Sequence, residues 1–239
     1  MEKTYVLGVP LTVLDRKELM DTLKKAICEK RQLALVAINA RKIIRTVHEP
    51  DMKDLLSGFD IFLADGASVV RAADHCVERI TGIDLMTDIC RDSEQLGAKL
   101  FFYGASDENN QAAQKKLKEK FPGMQIAGYC DGYDDADVLQ RIQDSGANVV
   151  FVAKGTPLQE KWIIENRGKL PGVSILMGIG GALDVCCGKV KRAPVIFQKA
   201  GLEWLCRMII EPKRFTQIPE LLEFRKLIKR QKRMDMTEK

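Results

Sequence analysis

Short apolar runs alternate with longer amphipathic stretches along the first 178 residues of this chain. The runs are rich in β-branched and aromatic residues and cover residues 4–9, 33–38, 60–64, 99–104, 125–129, 148–153 and 173–178. Helices are predicted between them, for example over 16–30, where Asp15 and Glu18 have the spacing of a capping box. Several runs are apolar throughout, as in strands covered on both faces. The pattern therefore predicts an α/β fold with a mainly parallel sheet covered by helices.

Charge is distributed unevenly along the 239 residues. Residues 189–239 contain 14 Lys and Arg against 6 Asp and Glu, a balance of +8, whereas residues 1–188 contain 24 against 27, a balance of −3. The segment after residue 188 has helical patterns and no strand-like run. We therefore predict a single Rossmann-like domain over 1–188 and a helical, basic amphipathic appendage over 189–239. A basic tail on a near-neutral body indicates an anionic partner: a nucleic acid, a phospholipid or a phosphorylated substrate.

The cysteines and the N-terminus indicate a cytoplasmic protein. The seven cysteines are odd in number, lack CxxC spacing and lie mostly in apolar segments, so we expect buried thiols and neither disulfides nor zinc ligands. The first residues, MEKTYVLGVPL, carry Glu2 and lack the apolar run of a signal peptide. No stretch reaches the roughly 18 consecutive apolar residues of a membrane span. No metal-ligand cluster stands out, and no cofactor is expected.

Small and polar residues follow almost every predicted strand. They are Asn39, Asp65-Gly66, Gly104–Ser106, Asp131–Tyr133, Gly155–Pro157 and Gly180-Gly181. Ligands of open parallel sheets bind outside the carboxyl ends of the strands, and glycine lets backbone N–H groups approach a ligand closely. One edge of the sheet is therefore predicted to bind a phosphate-bearing molecule.

Asp65 is the strongest single candidate for catalysis. It ends an apolar run and precedes Gly66, so its carboxylate should project from the edge of the sheet. A carboxylate at this position could act as the general base for a hydroxyl nucleophile. The alternative is that Asp65 caps the helix that begins near Ala67.

Three further motifs also have a structural alternative. Thr156–Gln159 has the form of a helix start, with Thr as N-cap, Pro at N1 and Gln at N3, which would explain Gln159 without a ligand. Residues 178–181, GIGG, resemble a dinucleotide fingerprint that lacks its third spaced glycine. Asp135-Ala136-Asp137 has the DxD form of a metal–nucleotide clamp, but acids there also suit the first turn of the next helix.

Seven segments together resemble a known family. They are Asn39, LADG (63–66), ERITGIDLM (78–86), FFYGAS (101–106), FVAKGTPLQEKW (151–162), GIGGALDVCCGKVKRAP (178–194) and GLEWLCRMIIEPKR (201–214). In order and spacing they resemble the WecG/TagA/CpsF glycosyltransferases over nearly the whole chain. The final run, with GxGGxxD followed by RAP, GLEW and EPxR, is far more specific than a lone glycine motif.

The resemblance implies transfer of a sugar from a UDP-sugar, typically UDP-N-acetylmannosamine, to N-acetylglucosamine on undecaprenyl diphosphate. It implies an inverting reaction without a metal, in the synthesis of wall teichoic acid or a related surface polysaccharide. By analogy Asp65 is the base, Asn39 shapes the active site and Arg79 faces a diphosphate. The other expected substrate-binding residues are Gly104 at a strand end, Tyr133, Gln159 and Asp184 in the nucleotide-sugar pocket, and Arg207 and Arg214 in the appendage.

Two positions depart from the pattern of the family that the chain resembles. Ala37 stands where Thr is common, and Gln217 stands where another Arg commonly follows Arg214 by three residues. The first departure is expected to affect the sugar that is handled, and the second is expected to weaken diphosphate binding. Neither departure removes Asp65.

The appendage is expected to contact the anionic membrane that holds a lipid-linked acceptor. Its last part, LLEFRKLIKRQKR (221–233), reads as a basic amphipathic helix that lies in the membrane interface. The protein is therefore expected in the cytoplasm, attached peripherally to the inner face of the cell membrane, without a nucleic-acid partner. The alternative for the same apolar face is burial by a second copy of the chain in a homo-oligomer.

Two other functions stay open at this point. A nicotinamide-dependent oxidoreductase uses a similar sheet, but the glycine fingerprint is incomplete and no ribose-binding acid has the usual spacing. A non-catalytic, membrane-associated relative of the glycosyltransferases is suggested only by Ala37 and Gln217.

Overall fold

A computed structural model describes residues 1–74, 76–133, 136–191, 193–194, 197, 208 and 212–237, without the side chains of 212–214 and 235–237. The strands are β1 (Lys3–Val6), β2 (Val9–Thr12), β3 (Leu33–Ile38), β4 (Ile61–Ala64), β5 (Lys99–Gly104), β6 (Gln125–Cys130), β7 (Val149–Ala153) and β8 (Ile175–Gly178). The helices are α1 (Arg16–Cys28), α2 (Ala40–His48), α3 (Pro50–Ser57), α4 (Ala67–Ala72), α5 (Gly82–Arg91), α6 (Ser93–Leu96), α7 (Asp107–Lys120), α8 (Val138–Ser145), α9 (Leu158–Asn166), α10 (Ala182–Cys186) and a C-terminal helix (Ile218–Thr237). Short 3-10 helices cover Arg167–Lys169 and Pro212–Gln217.

Six strands form one parallel sheet in the order β4-β3-β8-β7-β5-β6. Apolar residues of α2, α3, α8 and α9 fill the core layer on one face of the sheet. Apolar residues of α1, α5, α7 and α10 fill the layer on the other face. The predicted α/β fold with a mainly parallel, helix-covered sheet is confirmed. Because all six strands run in one direction, their carboxyl ends lie along a single edge.

The first predicted strand, over 4–9, is wrong as a single strand of the parallel sheet, because a turn divides it between two strands. The chain forms instead the antiparallel hairpin β1–β2, which is not part of the six-stranded sheet. Its turn is formed by Leu7 and Gly8, both with positive φ (50° and 78°), as a two-residue hairpin turn requires. The Thr12 hydroxyl accepts a hydrogen bond from the Phe62 N–H at 2.9 Å. The hairpin therefore packs beside β4, an edge strand of the sheet.

The capping residues predicted at the start of α1 make the predicted hydrogen bonds. The Asp15 side chain accepts a hydrogen bond from the Glu18 N–H at 2.7 Å, and Glu18 accepts one from the Asp15 N–H at 2.8 Å. The capping box is therefore confirmed. Among the described cysteines, Cys90 and Cys130 are buried but Cys28 and Cys76 are exposed, so the expectation of buried thiols is wrong for the last two.

The C-terminal helix packs against α2 on the body of the protein. Phe224 is buried there, and Leu221, Leu227 and Ile228 pack against the same core layer. An ion pair between Arg41 and Glu220 and a hydrogen bond between His48 and Glu223, each at 2.8 Å, link the two helices. Further along, Lys232 pairs with Asp74, and the Leu7 N–H donates to the Gln231 side chain. The apolar face of this helix is therefore covered by its own chain, while the boundary at residue 188 stays a prediction.

In the part of the chain that is described, no helix has an apolar stretch long enough to cross a bilayer.

Candidate active site

A cleft of about 550 Å³ opens at the carboxyl ends of β3, β4 and β8. Its floor consists of strand-end loops that contain Asn39, Asp65 and Gly178–Gly181. One wall comes from the C-terminal part of the chain, where Phe215, Ile218, Leu221, Leu222 and Arg225 line the opening. The cleft is therefore polar at the sheet edge and largely apolar along the wall that the C-terminal segment supplies.

Asn39 and Asp65 come together because β3 and β4 are neighbours in parallel register. Ile38 lies opposite Ala64, and the Asp65 N–H donates to the Ile38 carbonyl at 2.8 Å. Asn39 Oδ1 accepts from the Lys42 N–H at 2.9 Å and so caps α2. The exposed Asn39 side chain thus has its oxygen engaged in the cap, and its amide nitrogen makes no hydrogen bond with the described residues.

The capping alternative for Asp65 is not what the structure has. The N-cap of α4 is Gly66, which has φ of +145° and no side chain that can cap. Asp65 lies one position before the cap, half-buried and in the lining of the cleft. Its carboxylate is the only acidic group among the described residues that line the cleft.

Arg79 is placed next to Asp65 by a short extension of the sheet. Arg79 forms a parallel bridge with Ala64, and the Ile80 N–H donates to the Ala64 carbonyl at 3.1 Å. The chain then enters α5, whose N-cap Thr81 also lines the cleft. An arginine and a carboxylate residue are therefore held on neighbouring backbone segments in the lining of the cleft.

Gln159 lies in the cleft, but the predicted capping box around it is wrong. Helix α9 starts at Leu158 with Pro157 as its N-cap and without a side-chain capping bond. Instead, Gln159 Oε1 accepts from the Gly180 N–H at 2.8 Å, and Gln159 Nε2 donates to Glu160 at 2.9 Å. The long side chain is buried and binds a strand-end loop rather than the helix terminus, because that loop offers an unpaired backbone donor.

Lys42 and Glu160 form a buried ion pair beside Gln159. Lys42 Nζ lies 2.7 Å from Glu160 Oε1, and the two side chains are only 5% and 1% exposed. Lys42 Nζ also donates to the Ala37 carbonyl at 2.8 Å, and Thr156 Oγ1 donates to Glu160 Oε1 at 3.1 Å. Burial alone would raise the pKa of the Glu160 carboxyl, but the charge of Lys42 and the hydrogen bonds from Lys42 and Gln159 hold that pKa below its usual range.

The expected residues Gly104, Tyr133 and Asp184 lie further along the same edge and do not line this cleft. Gly104 ends β5 in close contact with the next loop, since a Cβ on Gly132 would lie 3.2 Å from its Cα. The Tyr133 side chain is 84% exposed. Asp184, on α10, accepts a hydrogen bond from the Asn109 side chain at 2.7 Å. These residues surround the ends of β5 and β6, while the segment 178–184 connects them to the cleft.

The two expected residues of the appendage are not described at side-chain level. Arg207 lies outside the described residues, and Arg214 lies in the 3-10 helix Pro212–Gln217 without a described side chain. Gln217 lines the cleft. Three arginines that the sequence analysis did not single out also line it, namely Arg41 on α2, Arg71 on α4 and Arg225 on the C-terminal helix, so the cleft has a cationic rim.

The DxD motif is described only in part. Asp135 lies outside the described residues, and Asp137 is the N-cap of α8 without a side-chain capping bond. The expectation that Asp137 sits in the first helical turn is therefore wrong by one position. In the described ranges, no three His, Cys, Asp or Glu side chains are grouped in a way that could hold a metal ion.

The GIGG segment differs from a dinucleotide fingerprint in what its backbone contacts. The Gly180 N–H, which would face a pyrophosphate, already donates to Gln159. A Cβ on Gly178 would lie 2.6 Å from Gln159 Nε2. A glycine at 178 is therefore required for the close approach of the Gln159 side chain. The backbone N–H of this loop binds a side chain of the cleft, whereas that of a dinucleotide fingerprint would bind a pyrophosphate.

Sequence reasoning missed Lys42 and Glu160. Their interaction joins positions 118 residues apart, which no local pattern reveals. The one available signal is that Glu160 directly follows Gln159 in the TPLQE segment, where it looks like an ordinary acid in the first turn of a helix.

Comparison with known proteins gives two findings. The model of the glycosyl transferase WecG/TagA/CpsF family matches residues 4–237. A protein of Bacillus spizizenii named N-acetylglucosaminyldiphosphoundecaprenol N-acetyl-beta-D-mannosaminyltransferase is 35% identical over 190 residues, which cover 77% of this chain and 74% of that protein.

Proposed function

This chain belongs to the WecG/TagA/CpsF family of glycosyl transferases, and we propose that it transfers N-acetylmannosamine from a UDP-sugar to N-acetylglucosamine-diphospho-undecaprenol. The similar protein of Bacillus spizizenii carries the name of that reaction without naming its donor. The product would be an intermediate of wall teichoic acid or a related surface polysaccharide. Family membership and the contacts of Gly180 both argue against the oxidoreductase alternative.

The observation that carries the proposal is the setting of Asp65. It is the one carboxylate among the described residues that line the cleft, at the carboxyl end of a parallel strand and beside Arg79. In the proposed step, the oxygen of the acceptor hydroxyl bonds to the anomeric carbon as the bond from that carbon to the UDP oxygen breaks. The hydroxyl proton passes to Asp65, and UDP leaves with the electron pair. Attack opposite to the leaving group inverts the anomeric configuration.

Basic side chains would stabilise the leaving diphosphate without a metal. Arg79 is bridged to Ala64, next to Asp65, and Arg71 lies on α4, which follows Asp65. Arg225 lines the cleft from the C-terminal helix. Fixed cationic donors aimed at developing negative charge can take the role that a metal has in other transferases. Arg207 and Arg214 are proposed to add to this set by analogy with the family.

The donor nucleotide is proposed to lie along the loops at Gly104, Tyr133 and Asp184, with its sugar in the cleft. The exposed Tyr133 ring offers a stacking surface, and the segment that holds Asp184 continues from the cleft floor. Gln159 and Asn39 would then contact the sugar. Ala37, at the end of β3, is the proposed cause of any difference in donor preference from relatives that carry Thr.

The membrane contact is proposed to be the outer face of the C-terminal helix. Its apolar face is covered by the body, but Lys226, Lys229, Arg230 and Arg233 follow helical spacing on the opposite side. Leu222, 59% exposed, lies on that same outer side. A basic stripe with an apolar contact suits an anionic membrane surface, which would hold the enzyme at the inner face of the membrane, beside its acceptor.

The test is a panel of UDP-sugars with a short-chain analogue of N-acetylglucosamine-diphospho-undecaprenol. We expect transfer from UDP-N-acetylmannosamine, in buffer with EDTA, and a product of inverted anomeric configuration. Asp65→Asn should lower kcat by about 10²–10⁴-fold and leave UDP affinity within a few-fold. Absence of transfer from every donor, or loss of activity in EDTA that Mg²⁺ restores, would contradict the proposed reaction; near-full activity of Asp65→Asn would contradict the assigned base.

A further inference from the structure

A chain of hydrogen bonds crosses the floor of the cleft and joins three separate segments. Lys42 Nζ donates both to the carbonyl of Ala37, at the end of β3, and to Glu160 Oε1. Glu160 Oε1 accepts in turn from Gln159 Nε2, and Gln159 Oε1 accepts from the Gly180 N–H after β8. Lys42 and Glu160 themselves are almost fully buried. The pair, through Gln159, thus links the ends of β3 and β8, two of the three strand ends that form the cleft floor.

We propose that Lys42 and Glu160 are positioning residues, which fix the side-chain amide of Gln159 so that it donates a hydrogen bond to an oxygen of the bound donor. This inference rests on the proposed function, because the ligand in question is the nucleotide-sugar. The oxygen would belong to a sugar hydroxyl, an acetamido group or a phosphate.

The surroundings of Gln159 allow only one orientation of its amide. With Oε1 toward the Gly180 N–H and Nε2 toward the Glu160 carboxylate, both contacts pair a donor with an acceptor. The reversed amide would place its carbonyl against the carboxylate and its NH₂ against the N–H, so both contacts would be repulsive. A negative charge at Glu160 makes this preference strong, and Lys42 keeps Glu160 ionised.

The fixed amide leaves one donor for a ligand. Nε2 carries two hydrogens, of which Glu160 takes one. The second has no acceptor among the described residues, and Gln159 lines the cleft. A donor whose direction is fixed before the ligand arrives costs less ordering on binding than a free glutamine side chain would.

The ion pair is not an arrangement that stability alone would favour. A buried ion pair is often no more stabilising than apolar side chains of similar volume. Glu160 Oε2 is buried without a hydrogen-bond partner, which costs free energy that a purely structural contact would not require. A role in orienting Gln159 explains why a charged, incompletely satisfied carboxylate lies at this site.

The test compares two double variants that both lack the buried charges, only one of which keeps an acceptor for Gln159 Nε2. Lys42→Met/Glu160→Met removes both charges together, so neither is left buried alone, and it removes the acceptor for Gln159 Nε2. Lys42→Met/Glu160→Gln is also neutral but restores an acceptor oxygen. The matched control is Arg167→Met/Asp60→Asn, which removes a partly buried ion pair at the amino ends of the strands.

We expect Lys42→Met/Glu160→Met to stay folded and to raise KM for the donor about 10-fold, the effect of one hydrogen bond, with a smaller change in kcat. Lys42→Met/Glu160→Gln should recover most of the lost affinity, and the control should change KM less than two-fold. Gln159→Ala should raise KM by a similar factor and add nothing further in the Lys42→Met/Glu160→Met background, because both changes remove one interaction.

A wild-type KM in Lys42→Met/Glu160→Met would overturn the inference, and so would a full additional effect of Gln159→Ala in that background. The side-chain NH₂ signals of Gln159 in ¹⁵N-glutamine-labelled protein, assigned with Gln159→Ala, give a readout independent of turnover. They should shift in Lys42→Met/Glu160→Met and return in Lys42→Met/Glu160→Gln; unchanged signals would also overturn the inference. Failure of the wild-type protein to transfer sugar from any donor would count against the proposed function instead.

Discussion

Gly178 shows how closely one residue can be constrained by a neighbour. Its φ is unremarkable for an L-residue, yet a Cβ there would lie 2.6 Å from Nε2 and 2.9 Å from Cδ of Gln159. Gln159 cannot yield easily, because it is buried between Gly178 and Glu160 and bonded to Gly180. The glycine is therefore needed for space and not for backbone freedom.

Gly178→Ala should consequently displace Gln159. We expect a loss of about 1–3 kcal/mol in the free energy of unfolding, typical of overpacking, a fall in Tm of several degrees, and weaker donor binding. Gly172→Ala is the matched control, since a Cβ at Gly172 meets nothing within 4 Å. Calorimetry and donor KM report the two effects. Equal Tm values for the two variants would show that Gln159 has room to move.

The Lys42–Glu160 pair should make stability depend on acid pH. The pKa of Glu160 is lowered in the folded protein from its ordinary value of 4.5, so the unfolded chain binds a proton more readily as the pH falls. The stabilisation is complete above about pH 4.5 and is lost as the pH falls through the folded pKa. Urea unfolding from pH 7 to pH 3.5 should therefore show a wild-type stability that declines, below pH 4.5, relative to Lys42→Met/Glu160→Met. A difference in the free energy of unfolding that stays constant over this pH range would contradict the lowered pKa of Glu160.

Four of the expected site residues could be placed in one cleft from sequence, because strand ends in a parallel sheet share an edge. Asn39, Asp65, Arg79 and Gln159 all line that cleft. Gly104 ends β5 and Tyr133 follows the end of β6, and no sequence pattern gives the strand order that separates them from the cleft. Asp184 does follow β8, but its position on α10 places its carboxylate against Asn109. Lys42 and Glu160 could not be predicted as buried residues from sequence, because charged side chains are normally exposed. Each of them is buried in contact with the other.

At the scale of the element, the same capping pattern succeeds at α1 and fails at α9. Asp15 and Glu18 are exposed, so nothing competes with their bonds to the backbone. At α9, Thr156 donates instead to the side chain of Glu160, and the buried Gln159 accepts from the Gly180 N–H, 21 residues further along the chain. Strands β3 and β5 agree with the predicted ranges to the residue, because continuous apolar runs have few alternatives to a buried strand.

The docking of the C-terminal helix on α2 should depend on Phe224 more than on its polar contacts. Phe224 is 3% exposed, and truncation of a buried Phe to Ala typically costs about 3–5 kcal/mol. A solvent-accessible ion pair such as Arg41–Glu220 contributes only about 0–1 kcal/mol, and the contact between His48 and Glu223 is a single, largely exposed hydrogen bond. These polar contacts therefore cannot compensate for the loss of the ring.

Phe224→Ala should release the C-terminal helix while the sheet stays folded. Amides of 218–237 are expected to exchange with solvent hydrogen much faster than in the wild type, with the exchange of β3 and β8 unchanged. Leu222→Ala, on the exposed side of the same helix, is the control and should leave the exchange rates unaltered. Slow exchange of 218–237 in Phe224→Ala would show that other contacts dominate the docking.

At the scale of the whole molecule, the excess positive charge of the C-terminal helix lies on one side of the sheet. The exposed stripe of Lys226, Lys229, Arg230 and Arg233 lies on the C-terminal helix, on one side of the sheet. Lys232 is engaged with Asp74 of the body. Helix α1, on the other side of the sheet, also carries exposed lysines but lies in the part of the chain with net negative charge.

Neutralising Lys226, Lys229 and Arg230 to Gln should weaken binding to vesicles that contain anionic lipid by roughly 100-fold. Each basic residue near such a surface contributes about 1 kcal/mol, and 1.4 kcal/mol is a factor of ten. The control neutralises Lys24, Lys25 and Lys30, which changes the net charge equally on the α1 side. Binding should also fall with added salt, because screening acts over about 8 Å at physiological ionic strength. Equal losses of vesicle binding in the two triple variants would show that the net charge of the protein, and not the stripe on the C-terminal helix, determines binding.

Strand β8 leaves the ribosome last among the six strands of the sheet, although it lies between β3 and β7. Until then, β4–β3 and β7–β5–β6 are two separate pieces, each with an unpaired backbone edge. At about 5–20 residues per second, the interval from Ile38 to Ile175 lasts roughly 7–27 s. Unpaired strand edges invite pairing with other chains, so the nascent protein needs the β3 edge protected for that time. The cleft, whose floor needs both β3 and β8, is therefore among the last parts of the sheet edge to form.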